Sequence, residues 1–303
     1  MNVKNIIFFI IIYLTSACTE GNRNNKTENL TKDYKDLTTY TSKADLESAA
    51  KENDPEAIFV LGSMYATGEG AEVNQKRAFE LFEQAAKLGS SNAMLQLGLI
   101  YRNGNNYIKK DDRKALEWFE AGAKKGNPSA IHNVGLAYYQ GVGVKEDRNK
   151  AFKYFIQSAQ LGLLQSQTIV ASQLYRGDGV TKNLSESFKW SMKAAEQGDV
   201  ESQNDIGISY EKGEGVDQDP TQALIWFEKA AKNGNIEAQY NAALKYYSGG
   251  GVIQNYDKSI KYAEMAASNG NKPAVELLLN IYSDENNSKY NPEKANYWKS
   301  KLE

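Results

Sequence analysis

Histidine and cysteine are almost missing from this chain: 303 residues hold one of each, His132 and Cys18. A histidine metal cluster, or a serine or cysteine nucleophile served by its own imidazole, cannot be assembled conventionally from that supply. No cysteine remains after Cys18, so packing alone must hold the folded part together. Neither sign of charge is in excess, because 36 Lys plus Arg stand against 38 Asp plus Glu. That balance removes the global field that would draw in nucleic acid or acidic substrates. Mixed clusters such as Lys109 to Lys114 fall in a turn and read as solvated loop. The apolar run Ile6 to Leu14 is far too short to span a bilayer.

Phosphate-binding signatures are lacking too. There is no Walker-type loop, and the Gly-x-Gly elements read as turns between helices, not as a strand-to-helix dinucleotide fingerprint. Carboxylates are scattered without a repeated pair, so no metal and no cofactor is expected. Two Ser-x-x-Lys tetrapeptides, Ser48 to Lys51 and Ser209 to Lys212, match the start of the serine penicillin-recognising enzymes, but Ser-Asp-Asn and Lys-Thr-Gly partners are absent. The chain is expected not to be an enzyme, and a weak β-lactamase-like activity is the remotest reading.

What is present is a period. A block of about 36 residues begins at Ala57, Ala93, Ala130, Ser166, Ser202, Ala238 and Ala274, and closes on Gly89, Gly126, Gly162, Gly198, Gly234 and Gly270. In the first copy Ala57, Leu61, Gly62 and Tyr65 share one stripe of a helix. Gly68 to Ala71 then breaks the pattern with residues that can take positive φ. A second stripe, Ala78, Phe82, Ala85 and Ala86, ends at Gly89, where a left-handed cap favours glycine. The small residues let backbones approach while Tyr65 or Phe82 fills the space beside them. The seventh copy has Leu279 at the glycine position and no Gly-x-Gly turn, as suits a terminal cap.

The run Ala130, Val134-Gly135, Tyr138, Gly141-x-Gly143-Val144, Lys150-Ala151, Phe155, Ser158-Ala159 and Gly162, echoed in the other copies, resembles the Sel-1-like repeat family, relatives of the tetratricopeptide repeats. The resemblance covers roughly residues 54–303. It implies an all-α fold, an α/α solenoid with a right-handed superhelix, built from six to seven helix-turn-helix repeats. Their expected spans are about 54–89, 90–126, 127–162, 163–198, 199–234, 235–270 and a partial 271–303. Ala49-Ala50 sits where the second-helix pair should, so residues 42–53 are expected to form a capping helix.

The N-terminus carries an address. Lys4 and the apolar run make residues 1–17 an expected signal peptide. Leu14-Thr15-Ser16-Ala17-Cys18 resembles a lipobox, with its leucine one position further back than usual. Thr15 and Ala17 also satisfy the small-x-small rule of the ordinary signal peptidase at the same bond. The expectation is lipidation at Cys18 and anchoring in a bacterial envelope, facing the periplasm, with the outer membrane favoured because Thr19 and not Asp follows the cysteine; a soluble periplasmic protein is the alternative. Residues 18–41 are polar and form an expected tether with a reach of roughly 25 to 30 Å.

Tetratricopeptide geometry, carried over by the resemblance, puts positions two, six and nine after the leading small residue on an inner face. The partner-binding candidates are then Phe59, Leu95, Leu99, Arg102, His132, Leu136, Tyr139, Tyr175, Asn204, Ile208, Tyr240, Leu244 and Tyr247. Half of them could equally pack against the adjacent helix. The partner is expected to be a protein or peptide, bound by an exported scaffold or adaptor; an immunity lipoprotein neutralising a periplasm-directed toxin is the alternative.

Overall fold

The computed structural model describes residues 42–302; the expected signal peptide, Cys18 and the expected tether lie outside the described residues. The described chain is all-α, a helical-repeat solenoid, and divides into two compact units. The first runs to Val170 and takes in Asp178–Thr181. It holds α1 (Lys43–Lys51), α2 (Pro55–Thr67), α3 (Gln75–Lys87), α4 (Ser91–Asn103), α5 (Asp112–Lys124), α6 (Pro128–Gln140), α7 (Arg148–Gln160) and the start of α8 (Leu164–Arg176). The second holds the end of α8, then α9 (Leu184–Glu196), α10 (Val200–Lys212), α11 (Pro220–Lys232), α12 (Ile236–Ser248), α13 (Tyr256–Ser268), α14 (Lys272–Ser283) and α15 (Pro292–Lys299). From α2 onward, even-numbered helices are the first of each repeat and odd-numbered ones the second.

Start signals recur with the period. Asp54, Ser90, Asn127, Asp199, Asn235 and Asn271 cap first helices, each side chain accepting from a backbone N–H of the first turn. Asn74, Asp111, Asp147, Asn183, Asp219, Asn255 and Asn291 do the same for second helices. Leu163, which has no side-chain acceptor, stands at the equivalent place before α8.

The turn between helices closes in one way throughout. The backbone N–H of each second-helix cap donates to the carbonyl of the residue eight beyond the leading small residue, as in Asn74 to Tyr65 at 2.8 Å and Asn291 to Tyr282 at 2.8 Å. The seventh repeat therefore makes the same closure without the Gly-x-Gly sequence. From the third repeat to the sixth, where both glycines are present, the second serves the preceding repeat as well. Gly179 has φ +72°, and a Cβ there would come within 2.5 Å of the carbonyl oxygen of Arg148 at the start of α7. The same position in the third repeat, Gly143, abuts the Asp112 carbonyl, so the glycine is demanded by close approach and by φ together.

Core packing follows a paired rule. A Cβ on Gly62 or Gly135 would lie 2.8 Å from the ring of Phe82 or Phe155, and one on Gly207 would lie 2.5 Å from Phe227; Gly98 faces Phe119 likewise. In the fourth and sixth repeats Ala171 and Ala243 replace the glycine, and Ser191 and Ala263 replace the phenylalanine. Those repeats also replace the leading alanine of the second helix by Ser187 and Ser259, whose hydroxyls donate to the carbonyls of Ala171 and Ala243 at 2.8 and 2.9 Å. Backbone contact plus an aromatic plug is thus exchanged for small side chains plus a hydrogen bond. At the N-terminal side Leu46 of α1 is fully buried in the first repeat's core, with Ala49 and Ala50 packed against it.

Candidate protein-binding face

Five of the thirteen candidate positions turn inward. Phe59, Leu95, Leu99, His132 and Asn204 are all buried, Phe59 completely, so they support the stack and present almost no surface. Phe59 meets Phe82 at 5.8 Å between ring centroids, and His132 meets Phe155 at 5.5 Å. Position two points into the crevice beside the second helix, which is why most of its occupants are consumed by packing. Arg102, Leu136, Tyr139, Ile208, Tyr240, Leu244 and Tyr247 are half-buried, and Tyr175 is exposed.

In the first unit the remaining row is short and heavily bonded. Arg102 Nη1 donates to Asn133 Oδ1 at 2.6 Å, and its guanidinium lies 5.8 Å from the centre of the Phe119 ring. Tyr139 Oη donates to Asp178 Oδ2 at 2.7 Å, and Arg148, over the Tyr139 ring, pairs with Asp178 Oδ1 at 2.8 Å. A space of about 30 Å³ lined by Arg102, Asp112, Asn133 and Gln140 has room for one or two waters, far below the ~300 Å³ of a small-molecule pocket.

His132 is fixed by a relay of hydroxyls. Ser158 Oγ lies 2.8 Å from the Pro128 carbonyl, which can only accept, so Ser158 donates there. Ser158 must then accept from Ser166 at 2.8 Å, and Ser166 in turn from His132 Nδ1 at 2.8 Å. The imidazole is therefore the neutral Nδ1–H tautomer and acts as donor to the serine. A general base activating a nucleophile needs the opposite polarity, so this buried pair is structural. Burial, and secondarily the Arg102 charge, lower the His132 pKa to about 4. Among the described residues no group of His, Cys, Asp and Glu is placed to hold a metal ion, and no helix is long and apolar enough to cross a membrane.

In the second unit the row is longer and more open. Ile208 of α10, Tyr240, Leu244 and Tyr247 of α12, and Leu279 of α14 are half-buried and packed on the core from outside. Polar rungs tie the helices together: Asn241 Nδ2 donates to Asn204 Oδ1 at 3.2 Å, and Lys245 pairs with Glu211. Tyr175 Oη donates to Glu214 Oε2 at 3.1 Å, which raises the phenol's pKa. Tyr139 to Asp178 and Tyr175 to Glu214 are both 39 residues apart, a spacing that would have exposed these rungs in the sequence.

Residues 55–90, 91–127, 128–163, 165–199, 200–235 and 236–271 each match the model of the Sel1 repeat. The chain belongs to the Sel1 repeat family. Among solved structures it is similar to a protective antigen of uropathogenic Escherichia coli strains displaying an SLR fold, at 27% identity and a TM-score of 0.78, over 96% of this chain and 63% of that one. The chain thus spans less than two thirds of that protein's length. It is also similar to a Sel1 repeat protein from Oxalobacter formigenes, at 28% identity and a TM-score of 0.62, over 75% of this chain and 96% of that one. No curated relative matches the sequence. Sel1 repeats serve protein–protein interaction, which makes the half-buried rows on the first helices of this Sel1 protein its candidate binding face.

Proposed function

We propose that this Sel1 repeat protein is an exported, lipid-anchored adaptor that binds a protein or peptide partner along its first helices. The observation that carries the reading is the division of labour within each repeat. The recurring small and aromatic residues are consumed in the core, whereas positions six and nine vary and, apart from the buried Ser63 and Leu99 of the first two repeats, keep surface: Leu136 and Tyr139 in one unit, Ile208, Leu244 and Tyr247 in the other, with Tyr240 at position two. Half-exposed tyrosines on a rigid helical frame are suited to anchoring a partner at small entropic cost. Export rests on the apolar run before Cys18 and the lipobox-like Leu14 to Cys18, and agrees with the E. coli relative being a protective antigen.

Photo-crosslinking in intact envelopes tests the face. A crosslinker at Leu244 should trap a partner, and one at Tyr297 should not; capture only from position 297 removes the assignment. Palmitate labelling lost in Cys18→Ala, with release of the protein from the membrane fraction, supports the anchor. A Cys18→Ala protein that stays membrane-bound overturns it.

A further inference from the structure

The second unit's proposed binding face carries an excess of negative charge. Glu201 and Asp205 of α10, Glu237 of α12 and Glu276 of α14 are exposed, and none makes an ion pair among the described residues. The cations on these three helices are Lys212, Lys245 and Lys272. Lys245 is paired with Glu211 and Lys212 closes α10 at the far end, while Lys272 opens α14, so the first two turns of the three helices hold four carboxylates without an ion pair against one lysine. The repeat does not demand this. The corresponding helices of the first unit, α2, α4 and α6, carry only Glu56 and Arg102 besides the neutral His132.

We propose that α10, α12 and α14 receive a cationic, amphipathic segment of a partner protein, its Lys or Arg side chains meeting Glu201, Asp205, Glu237 and Glu276 and its apolar side chains lying on Ile208, Tyr240 and Leu244. The proposal rests on the reading of the first helices as the binding face and adds the chemistry of the occupant. Two groups on the face register the negative potential. The Tyr240 phenol is held above its ordinary pKa by burial and then by Glu276 and Glu237. The Asp205 carboxyl is raised by partial desolvation and then by Asp199 and Glu201, although the residue keeps an exposed edge. With neighbouring helices about 10 Å apart, three first helices give a strip of about 20 Å, the span of about six extended residues. Opposite charge on such a strip speeds encounter and selects against acidic partners.

The test uses the full chain and two fluorescein-labelled ten-residue peptides, alternating Leu-Lys and alternating Leu-Glu, read by fluorescence anisotropy. The Leu-Lys peptide should bind, more weakly as salt rises, and the Leu-Glu peptide should not. The variant Asp205→Asn/Glu237→Gln/Glu276→Gln should weaken binding about tenfold or more. A control with the same loss of charge on second helices, Glu196→Gln/Glu264→Gln/Glu293→Gln, should stay within about twofold of the parent. Equal loss in both variants, or none in the first, overturns the proposal. If the acidic variant binds normally while Tyr240→Ala/Leu244→Ala does not, the charge assignment falls and the binding face stands. If neither variant weakens binding, both fall.

Discussion

Gly207 on α10 and Phe227 on α11 occupy one space: a Cβ on the glycine would lie 2.5 Å from the ring. Pairs of this kind set how closely the two helices of a repeat approach. The sixth repeat reaches a similar fold by another route, with Ala243 opposite Ala263 and Ser259 bonded to the Ala243 carbonyl.

Gly207→Ala should therefore destabilise the second unit by about 1–2 kcal/mol, overpacking outweighing alanine's better helix propensity. Phe227→Ala should cost about 3–5 kcal/mol through the cavity it leaves. The double variant should lose less than the sum by at least about 1 kcal/mol, because it recreates the pairing native to the sixth repeat. Urea unfolding of the four proteins closes the cycle, and strict additivity would disprove the coupling.

The His132 relay predicts an acid-sensitive first unit. An unfolded histidine titrates near 6.5 and the folded one at about 4, so between those values the unfolded chain binds more protons. Stability contributed by this group is complete above about pH 6.5, falls as pH drops through the window and levels off below about 4, a loss of about 3 kcal/mol at most. His132→Leu, which copies Leu95 one repeat earlier, should flatten this part of the profile relative to the parent. An unchanged difference between pH 7 and pH 4 would refute it.

Two glycines separate conformation from contact. Gly234 has φ +94° with no atom within 4 Å of an added Cβ, whereas Gly179 has φ +72° and faces the Arg148 carbonyl. Gly234→Ala should cost about 1 kcal/mol in backbone strain, and Gly179→Ala at least about 1 kcal/mol more. Equal costs by chemical denaturation would show that the turn relaxes freely.

Asp219 accepts from the N–H groups of Thr221 and Gln222 at 2.9 and 3.0 Å. Asp219→Ala should cost about 1 kcal/mol, and hydrogen exchange should speed up first in the opening turn of α11. Uniform acceleration across the second unit would instead mark a tertiary role for this carboxylate.

Helices, turns and repeat boundaries could be read from the sequence because each is written by local rules repeated several times: a cap, a small residue every third or fourth place, a glycine at the end. The proposed binding face could be read only in part, because exposure depends on what the neighbouring helix brings. Position two looks the same in sequence for Phe59 and Tyr240, yet Phe59 is spent against Phe82 while Tyr240 keeps an open edge. The acidic row of Glu201, Asp205, Glu237 and Glu276 falls at three different offsets within the repeat, so a search for one recurring position passes over it.

Gly143 and Gly179 each rest on the first turn of the second helix in the preceding repeat, at Asp112 and Arg148. A turn so placed measures distance along the chain. The second repeat has one residue more between its helices and lacks the Gly-x-Gly; where both glycines are kept, inserting or deleting one residue would move the second off its seat and put a side chain there. Repeats that keep both glycines therefore hold a fixed length, and a partner selected on one stretch of the surface keeps its spacing when whole copies are gained or lost beyond it.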